Sequence, residues 1–367
     1  MPDPRIQNLA NILVNYSSRV KPGDWVSIWA DLGALPLVKE VLAQVLKAGG
    51  NPTYNWHSNE LDEIFYSQAS KQQLEWISPL EEIRSHKVDV GIYIYAEDNT
   101  RTLTNTPSEN MALKSASRRE LFETEFKRAA DGDFRWVVTQ FPTQAYAQDA
   151  DMSLADYEDF VYKACFADQD DPVGAWQKVH DEQEKLVRWM KGKKNIRMKS
   201  PNVDLTLSIE GRPFENADGK SNMPSGEIFT SPVENSINGW VEFSYPAIHH
   251  GREVDGVRFE FKDGKVVHAS AKKNEEFLLS QLDLDEGARY IGEWAIGTNY
   301  GIQQFTRSIL YDEKIGGTFH MAVGAGYPET GSQNKSAIHW DFICDIRKDS
   351  EVHVDGELFY KDGQFQV

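Results

Sequence analysis

The sequence predicts an α/β fold class in two parts: an N-terminal α/β layer domain with a mostly parallel sheet, residues 1–192, then a strand-rich α+β domain, residues 193–367. Three observations carry this. A chain of 367 residues exceeds one ordinary core of ~100–200 residues. Helical and strand-like segments alternate in the first half, the pattern of βαβ units. Past the basic, glycine-containing junction Lys191-Gly192-Lys193-Lys194-Asn195, the texture turns to short strands with apolar and polar residues alternating.

Taken in order, residues 3–20 carry apolar positions at helical spacing (Ile6, Leu9, Ile12, Leu13), and Pro22-Gly23-Asp24 punctuates before the strand-like Trp25-Val26-Ser27-Ile28-Trp29. Leu35 to Ala48 reads as an amphipathic helix closed by Gly49-Gly50, and Pro52 to Trp56 as a second strand, completing a βαβ unit. Val88 to Tyr95 and Phe134 to Gln140 add two more strands. Helices are expected over Ser153 to Ala167 and Gly174 to Met190. In the second half Val203 to Ile209 alternates as a half-buried strand, and Val257 to Phe261 with Val266 to Ser270 reads as a hairpin closed by Asp263-Gly264.

Composition excludes several function classes. A formal net charge of −18 repels phosphate backbones and anionic lipid, so neither nucleic acid nor membrane is an expected partner. The acidic excess serves solubility, or includes metal ligands that also attract a cation such as a peptide amino terminus. Two distant cysteines, Cys165 and Cys344, offer neither a disulfide framework nor a zinc knuckle, which suits a reducing compartment. The first residues lack a basic region followed by an apolar run, and no 18 apolar residues are contiguous, so a soluble, cytoplasmic protein is expected. The first strand leads into Ala30-Asp31-Leu32-Gly33-Ala34, with no GxGxxG or GxxxxGK[ST], which disfavours nucleotide binding. There is no GxSxG, and neither cysteine lies in a histidine-associated motif.

Three stretches of the second half combine turn residues with carboxylates and imidazoles. In Met223-Pro224-Ser225-Gly226-Glu227-Ile228-Phe229, Pro224 and Gly226 shape a tight loop whose single ionisable side chain is Glu227, either a solvated loop carboxylate or a ligand. In Arg289-Tyr290-Ile291-Gly292-Glu293-Trp294-Ala295-Ile296-Gly297, Glu293 sits in apolar surroundings and needs a cation, either Arg289 or a metal. The third stretch holds Asp312, Glu313, His320 and Tyr327, then His339 and Asp341. His339 and Asp341 are two apart, so on a strand they share a face, suited to joint ligation of an ion or to a buried histidine–aspartate pair. Such mixed oxygen and nitrogen donors suit Zn²⁺, Co²⁺ or Mn²⁺, with Mg²⁺ a further candidate. Several carboxylates can hold two ions ~3.5–4 Å apart. His249-His250 reads as a solvated pair beside Pro246 and Gly251, and His57, His86, His180, His268 and His353 as structural.

At these residues the sequence resembles the aminopeptidase T / aminopeptidase S family of dinuclear metallo-aminopeptidases. The resemblance spans nearly the whole chain, through MPSGEIFTSP (223–232), RYIGEWAIG (289–297), ILYDEKIGGTFHMAVGAGYP (309–328) and SAIHWDFICD (336–345). Phe141-Pro142-Thr143 and AQDADMSLADYEDFVYKA (147–164) are also similar. It implies that Glu227, Glu293, His320, His339 and Asp341 hold two divalent ions, and that Tyr327 is a ligand or a donor to the developing oxyanion; the resemblance leaves the bridging ligand open, with Glu293 the preferred one. Glu227 or a neighbouring carboxylate would pass a proton to the leaving amine. Where many members read a DENA-type segment, this chain has the longer Asp312-Glu313-Lys314-Ile315-Gly316-Gly317, with Glu313 a further ligand. The resemblance further implies short peptide substrates with a free amino terminus and a homodimer. The competing expectations are a non-catalytic peptide-binding or oligomeric protein on the same scaffold, and a hydrolase of other amides or esters.

Overall fold

A computed structural model describes residues 3–249 and 251–367, so His250 of the histidine pair lies outside the described residues. Two compact units emerge, Met1–Trp176 with Gly219–Pro224, and Gln177–Asp218 with Ser225–Val367. They part within the helix Pro172–Met190, whereas the sequence places its boundary just after that helix.

The first unit is the expected α/β layer. Its sheet runs in the order Asn51–His57, Trp25–Asp31, Val90–Tyr95, Arg135–Gln140, Asn222–Met223, and every pairing is parallel. The strands Trp25–Asp31 and Val90–Tyr95 are almost wholly buried, as near-continuous apolar runs in a covered parallel sheet should be. The amphipathic helix Leu35–Lys47 buries Leu37, Val38, Val41 and Val45, and the chain leaves it through Gly49 at φ +84. The first helix is α-helical only over Pro4–Asn11 and continues as a π-helix over Ile12–Ser17. The short strand Asn222–Met223 was not expected: two residues carry no periodicity to read.

The second unit contains a two-stranded antiparallel ribbon, Ala247–His249 with Arg252–Val254, and two larger antiparallel sheets. One has eight strands, in the order Lys265–Ser270, Arg258–Lys262, Asn238–Glu242, Val203–Ser208, Asn195–Ser200, Glu351–Val354, Glu357–Lys361, Gln364–Phe365. The expected hairpin closes through Asp263 and Gly264, both at positive φ, as a two-residue turn of the twist-matching kind demands. The other has five strands, His339–Asp345, Thr318–Gly324, Ile291–Gly297, Glu227–Thr230 and Glu215–Ala217. The sheets share one apolar core, where Phe342 meets Phe259 at 4.9 Å and Phe243 at 5.2 Å between ring centroids, and the Trp294 indole reaches the Met198 sulfur at 3.4 Å. Among the described residues no helix is long and apolar enough to cross a membrane.

Candidate metal centre

The five-stranded sheet assembles the site by simple alternation. Ile228, Trp294, Ile296, Phe319, Met321, Val323, Trp340, Phe342 and Cys344 point into the core. The intervening residues Glu227, Glu293, His320, His339 and Asp341 therefore fall on the opposite face, since successive side chains alternate. Register brings them level. Ala322 pairs with Glu293 on one side and Asp341 on the other, and Ala295 pairs with His320. Alanine at these two positions keeps the middle of the face low and leaves room between the ionisable groups.

The resulting cluster is tight and buried. His320 Nε2 lies 3.4 Å from Glu227 Oε2 and 3.7 Å from Glu293 Oε1, and His339 Nε2 lies 3.3 Å from Glu293 Oε2 and 3.7 Å from Asp341 Oδ1. Three overlapping groups have donor atoms all within 4.8 Å of one another: Glu227, Glu293 and His320; Glu293, His339 and Asp341; and Glu313, His320 and Asp341. Every carboxylate and histidine expected at the site belongs to at least one of them. Glu293, His320 and Asp341 each belong to two.

Burial without hydrogen bonding sets this cluster apart. Both ring nitrogens of His320, Glu227 Oε2 and Asp341 Oδ1 are buried with no hydrogen-bond partner among the described residues. Each such atom costs about 1–3 kcal/mol of desolvation, so four of them side by side indicate donors kept for a ligand that accepts lone pairs. His339 is oriented for the same task. Its Nδ1 lies 2.7 Å from the Ala325 carbonyl oxygen, which can only accept, so Nδ1 carries the hydrogen and Nε2 faces the carboxylates. The donor set of four carboxylates and two imidazoles fits divalent ions of the zinc, cobalt or manganese kind.

With protons alone to balance them, these groups titrate far from their usual ranges. Burial pushes Asp341 up to about 6 despite His339 beside it. Burial also disfavours charge on Glu293, His320 and His339, but their mutual attraction outweighs it, holding Glu293 down near about 2 and lifting His320 to about 9 and His339 to about 10. Burial raises Glu227 and Glu313 in spite of Lys314.

Local structure explains how the outlying residues arrive. Gly226 sits at φ +118 with Asn299 so close that a Cβ would lie 2.8 Å from its side chain, so glycine is required for the chain to enter the Glu227 strand there. The buried Gln183 amide donates to the carbonyls of Glu227, at 3.1 Å, and Ala217, at 3.2 Å, fixing the start of that strand. Glu313 follows the short helix Ile309–Asp312, and its segment crosses the Glu293 strand at Gly297, where a Cβ would lie 2.2 Å from the Ile315 carbonyl oxygen. Tyr327 stands at the rim, its ring edge-on to Phe229 at 5.5 Å and to His339 at 5.2 Å. Burial, reinforced by Glu293 and Asp341, raises its phenol and keeps the hydroxyl protonated.

Two features differ from the sequence expectation. Arg289 does not reach Glu293: its guanidinium donates to Asp283 at 2.8 and 2.9 Å, which removes the salt bridge offered as the alternative to a metal. Lys314 was not expected at the site. Its ammonium, 1% exposed, donates to Glu227 Oε1 at 2.7 Å and also bonds Glu313 Oε1. A lysine in an Asp-Glu-Lys run ordinarily reads as solvated, and only the fold turns it inward. Of the remaining histidines, His249 stacks on Trp340 at 4.9 Å, His180 pairs with Asp218 at 2.7 Å, and His57 bridges Asp31 and Asp62.

Comparison with known proteins adds to this geometry. The family described as thermophilic metalloprotease (M29) matches residues 2–365. Aminopeptidase 2 of Geobacillus stearothermophilus is 26% identical, over 99% of this chain and 95% of its own length. Aminopeptidase T of Thermus thermophilus is 23% identical, over 98% of this chain and 95% of its own. The solved structure of wild-type AmpT from Thermus thermophilus superposes with a TM-score of 0.86 at 21% identity, over 99% of each chain, and so shares the fold.

Proposed function

Because the chain belongs to the thermophilic metalloprotease (M29) family, and so is a peptidase hydrolase, we propose that it is an aminopeptidase that removes N-terminal residues from short peptides with two divalent ions. The ions are held by Glu227, Glu293, Glu313, His320, His339 and Asp341. One observation carries the proposal: buried donor atoms of Glu227, His320 and Asp341 that have no hydrogen-bond partner among the described residues, gathered on one face of one sheet.

Bound ions supply Lewis acidity, lowering the pKa of water and polarising the scissile carbonyl. The protein's own groups do the rest. The carboxylates of the cluster offer acceptors for the substrate's free amino group, an interaction that a blocked amine lacks and that would account for exopeptidase action. Tyr327, whose ring packs edge-on to His339, would donate its protonated hydroxyl to the developing oxyanion. Glu227, whose carboxyl burial raises, is suited to carry a proton to the leaving amine. Strands hold Glu227, Glu293, His320, His339 and Asp341, so little reorganisation of these groups is needed when charge develops.

The test is hydrolysis of leucine and arginine p-nitroanilides. Activity should vanish in chelator, return with Zn²⁺, Co²⁺ or Mn²⁺, and be absent on substrates with a blocked amine; full activity after verified metal removal would sink the proposal. A homodimer in the cytoplasm completes it. Two buried thiols suit a reducing compartment, and exposed Leu61, Trp76, Leu80 and Phe126 offer apolar surface for self-association, which sedimentation velocity would test.

A further inference from the structure

Lys314 is the one feature of the centre to which the proposed function assigns no task. Its ammonium sits among the presumptive ligands, and its contacts are selective. It bonds Glu227 Oε1 at 2.7 Å and Glu313 Oε1, and no ion pair links it to Glu293 or Asp341. Set against the three donor groups, that choice divides them. The group Glu227, Glu293 and His320 contains one carboxylate bonded to Lys314, and the group Glu313, His320 and Asp341 contains the other. The group Glu293, His339 and Asp341 contains neither, and its histidine is already oriented by the Ala325 carbonyl.

We infer that Lys314 makes the two ion seats unequal: the Glu293, His339 and Asp341 seat binds a divalent ion firmly, while the seat at His320, whose carboxylates Lys314 shares, binds a weaker, exchangeable one. The inference rests on the metal-dependent function proposed above and adds to it a dependence on free metal concentration. The physics is direct. A fixed positive charge a few ångströms from a divalent ion repels it in a buried setting where screening is poor. The ammonium also occupies one oxygen of each carboxylate it bonds, reducing what that carboxylate can offer. Lys314 cannot easily swing clear, because its side chain is 1% exposed and its backbone is pinned on both sides, the carbonyl accepting from Asn299 N–H and the amide donating to the Tyr311 carbonyl.

The experiment is equilibrium dialysis of the chelator-stripped, full-length protein against stepped free Zn²⁺ or Co²⁺, with bound metal counted by mass spectrometry. Two steps are expected, the second at roughly 100-fold higher free ion. Lys314→Met should bring the second step to within about tenfold of the first, while Lys314→Arg, which keeps the charge, should leave the steps apart. His339→Ala should remove the first step and spare the second. Two ions filling together in the unsubstituted protein overturns the inference while leaving the proposed function intact, and needs no variant to fold. So does loss of the second step instead of the first in His339→Ala. Failure to bind any ion overturns the metal-dependent function itself.

Discussion

Histidine meets carboxylates in each of the two units, with opposite outcomes. In the first, His57 at the end of one parallel strand has both ring nitrogens engaged, by Asp31 at 2.6 Å and Asp62 at 3.0 Å, and the other Asp31 oxygen accepts the Ala96 N–H at 2.7 Å. In the second, His320 has neither nitrogen hydrogen-bonded, and oxygens of Glu227 and Asp341 are left over beside it. The residue types are the same and both sites sit on sheets. Saturation separates them: the first cluster is complete with protons alone, and the second is not. An ionised histidine–carboxylate pair is therefore weak evidence for a metal, whereas buried unsatisfied donors in a convergent set are strong evidence.

The sharpest way to break this comparison is to substitute at each cluster. Glu293→Gln removes a carboxylate that two donor groups share, and kcat/KM should fall by roughly 10³-fold with loss of bound metal. His57→Gln should leave both kcat/KM and bound metal within about twofold, because nothing in the first cluster is unsatisfied. Metal retained in full by Glu293→Gln would remove the distinction between the clusters.

Metal removal should act on stability in the same divided way. An ion present at 100 times its dissociation constant stabilises the state that binds it by about 2.7 kcal/mol. Without it, four carboxylates, those of Glu227 and Glu293 buried and those of Glu313 and Asp341 half-buried, face one ammonium and two imidazoles. Hydrogen exchange with and without chelator should show loss of protection in the strands Ile291–Gly297, Thr318–Gly324 and His339–Asp345, and unchanged protection in Trp25–Asp31 and Val90–Tyr95. Equal loss in both sheets would show that the ions stabilise more than their own sheet.

Proton competition gives a third contrast. Without metal, His320 and His339 hold their protons up to about 9 and about 10, and an ion must displace them. The affinity for metal should therefore rise with pH across the neutral range and level off only near those values, with protons released on binding. Calorimetry in buffers of different ionisation enthalpy measures that release, and a pH-independent affinity would contradict the protonated resting state.

Much of this was open to reading in the residues, and the exceptions have a common cause. The alternation from Val203 to Ile209, the turn at Asp263-Gly264 and the two-residue spacing of His339 and Asp341 are local signals, and each produced the element expected. The site's carboxylates and histidines stood out through ordered motifs, so the set was legible although no single member was. Lys314 was not, because its inward turn depends on Gly297 and Asn299, which are remote in sequence. Arg289 was one of two partners open to Glu293 in the sequence, the other being a metal, and the fold pairs it instead with Asp283, six residues away. The strand Asn222–Met223 escaped because its membership of the parallel sheet is set by pairing alone.

The smallest expected effect concerns the saturated cluster itself. Hydrogen bonds donated to Asp31 first, and then to Asp62, raise His57 to about 9, above the value near 6.5 of an unfolded histidine. A group whose folded pKa is raised contributes stability fully present below its unfolded value, and that contribution fades as pH climbs through the folded one. The first unit should therefore lose stability between about pH 6.5 and 9. His57→Gln should flatten that slope and cost about 1–2 kcal/mol below pH 6.5, modest because Asp62 is partly exposed while Asp31 is left with an unpaired oxygen. Denaturant unfolding at several pH values, followed by exchange protection of the Trp25–Asp31 strand, isolates the term. A slope that survives the substitution would place the titrating group elsewhere in that unit, and would mean that two hydrogen bonds to one histidine do not suffice to call its cluster closed.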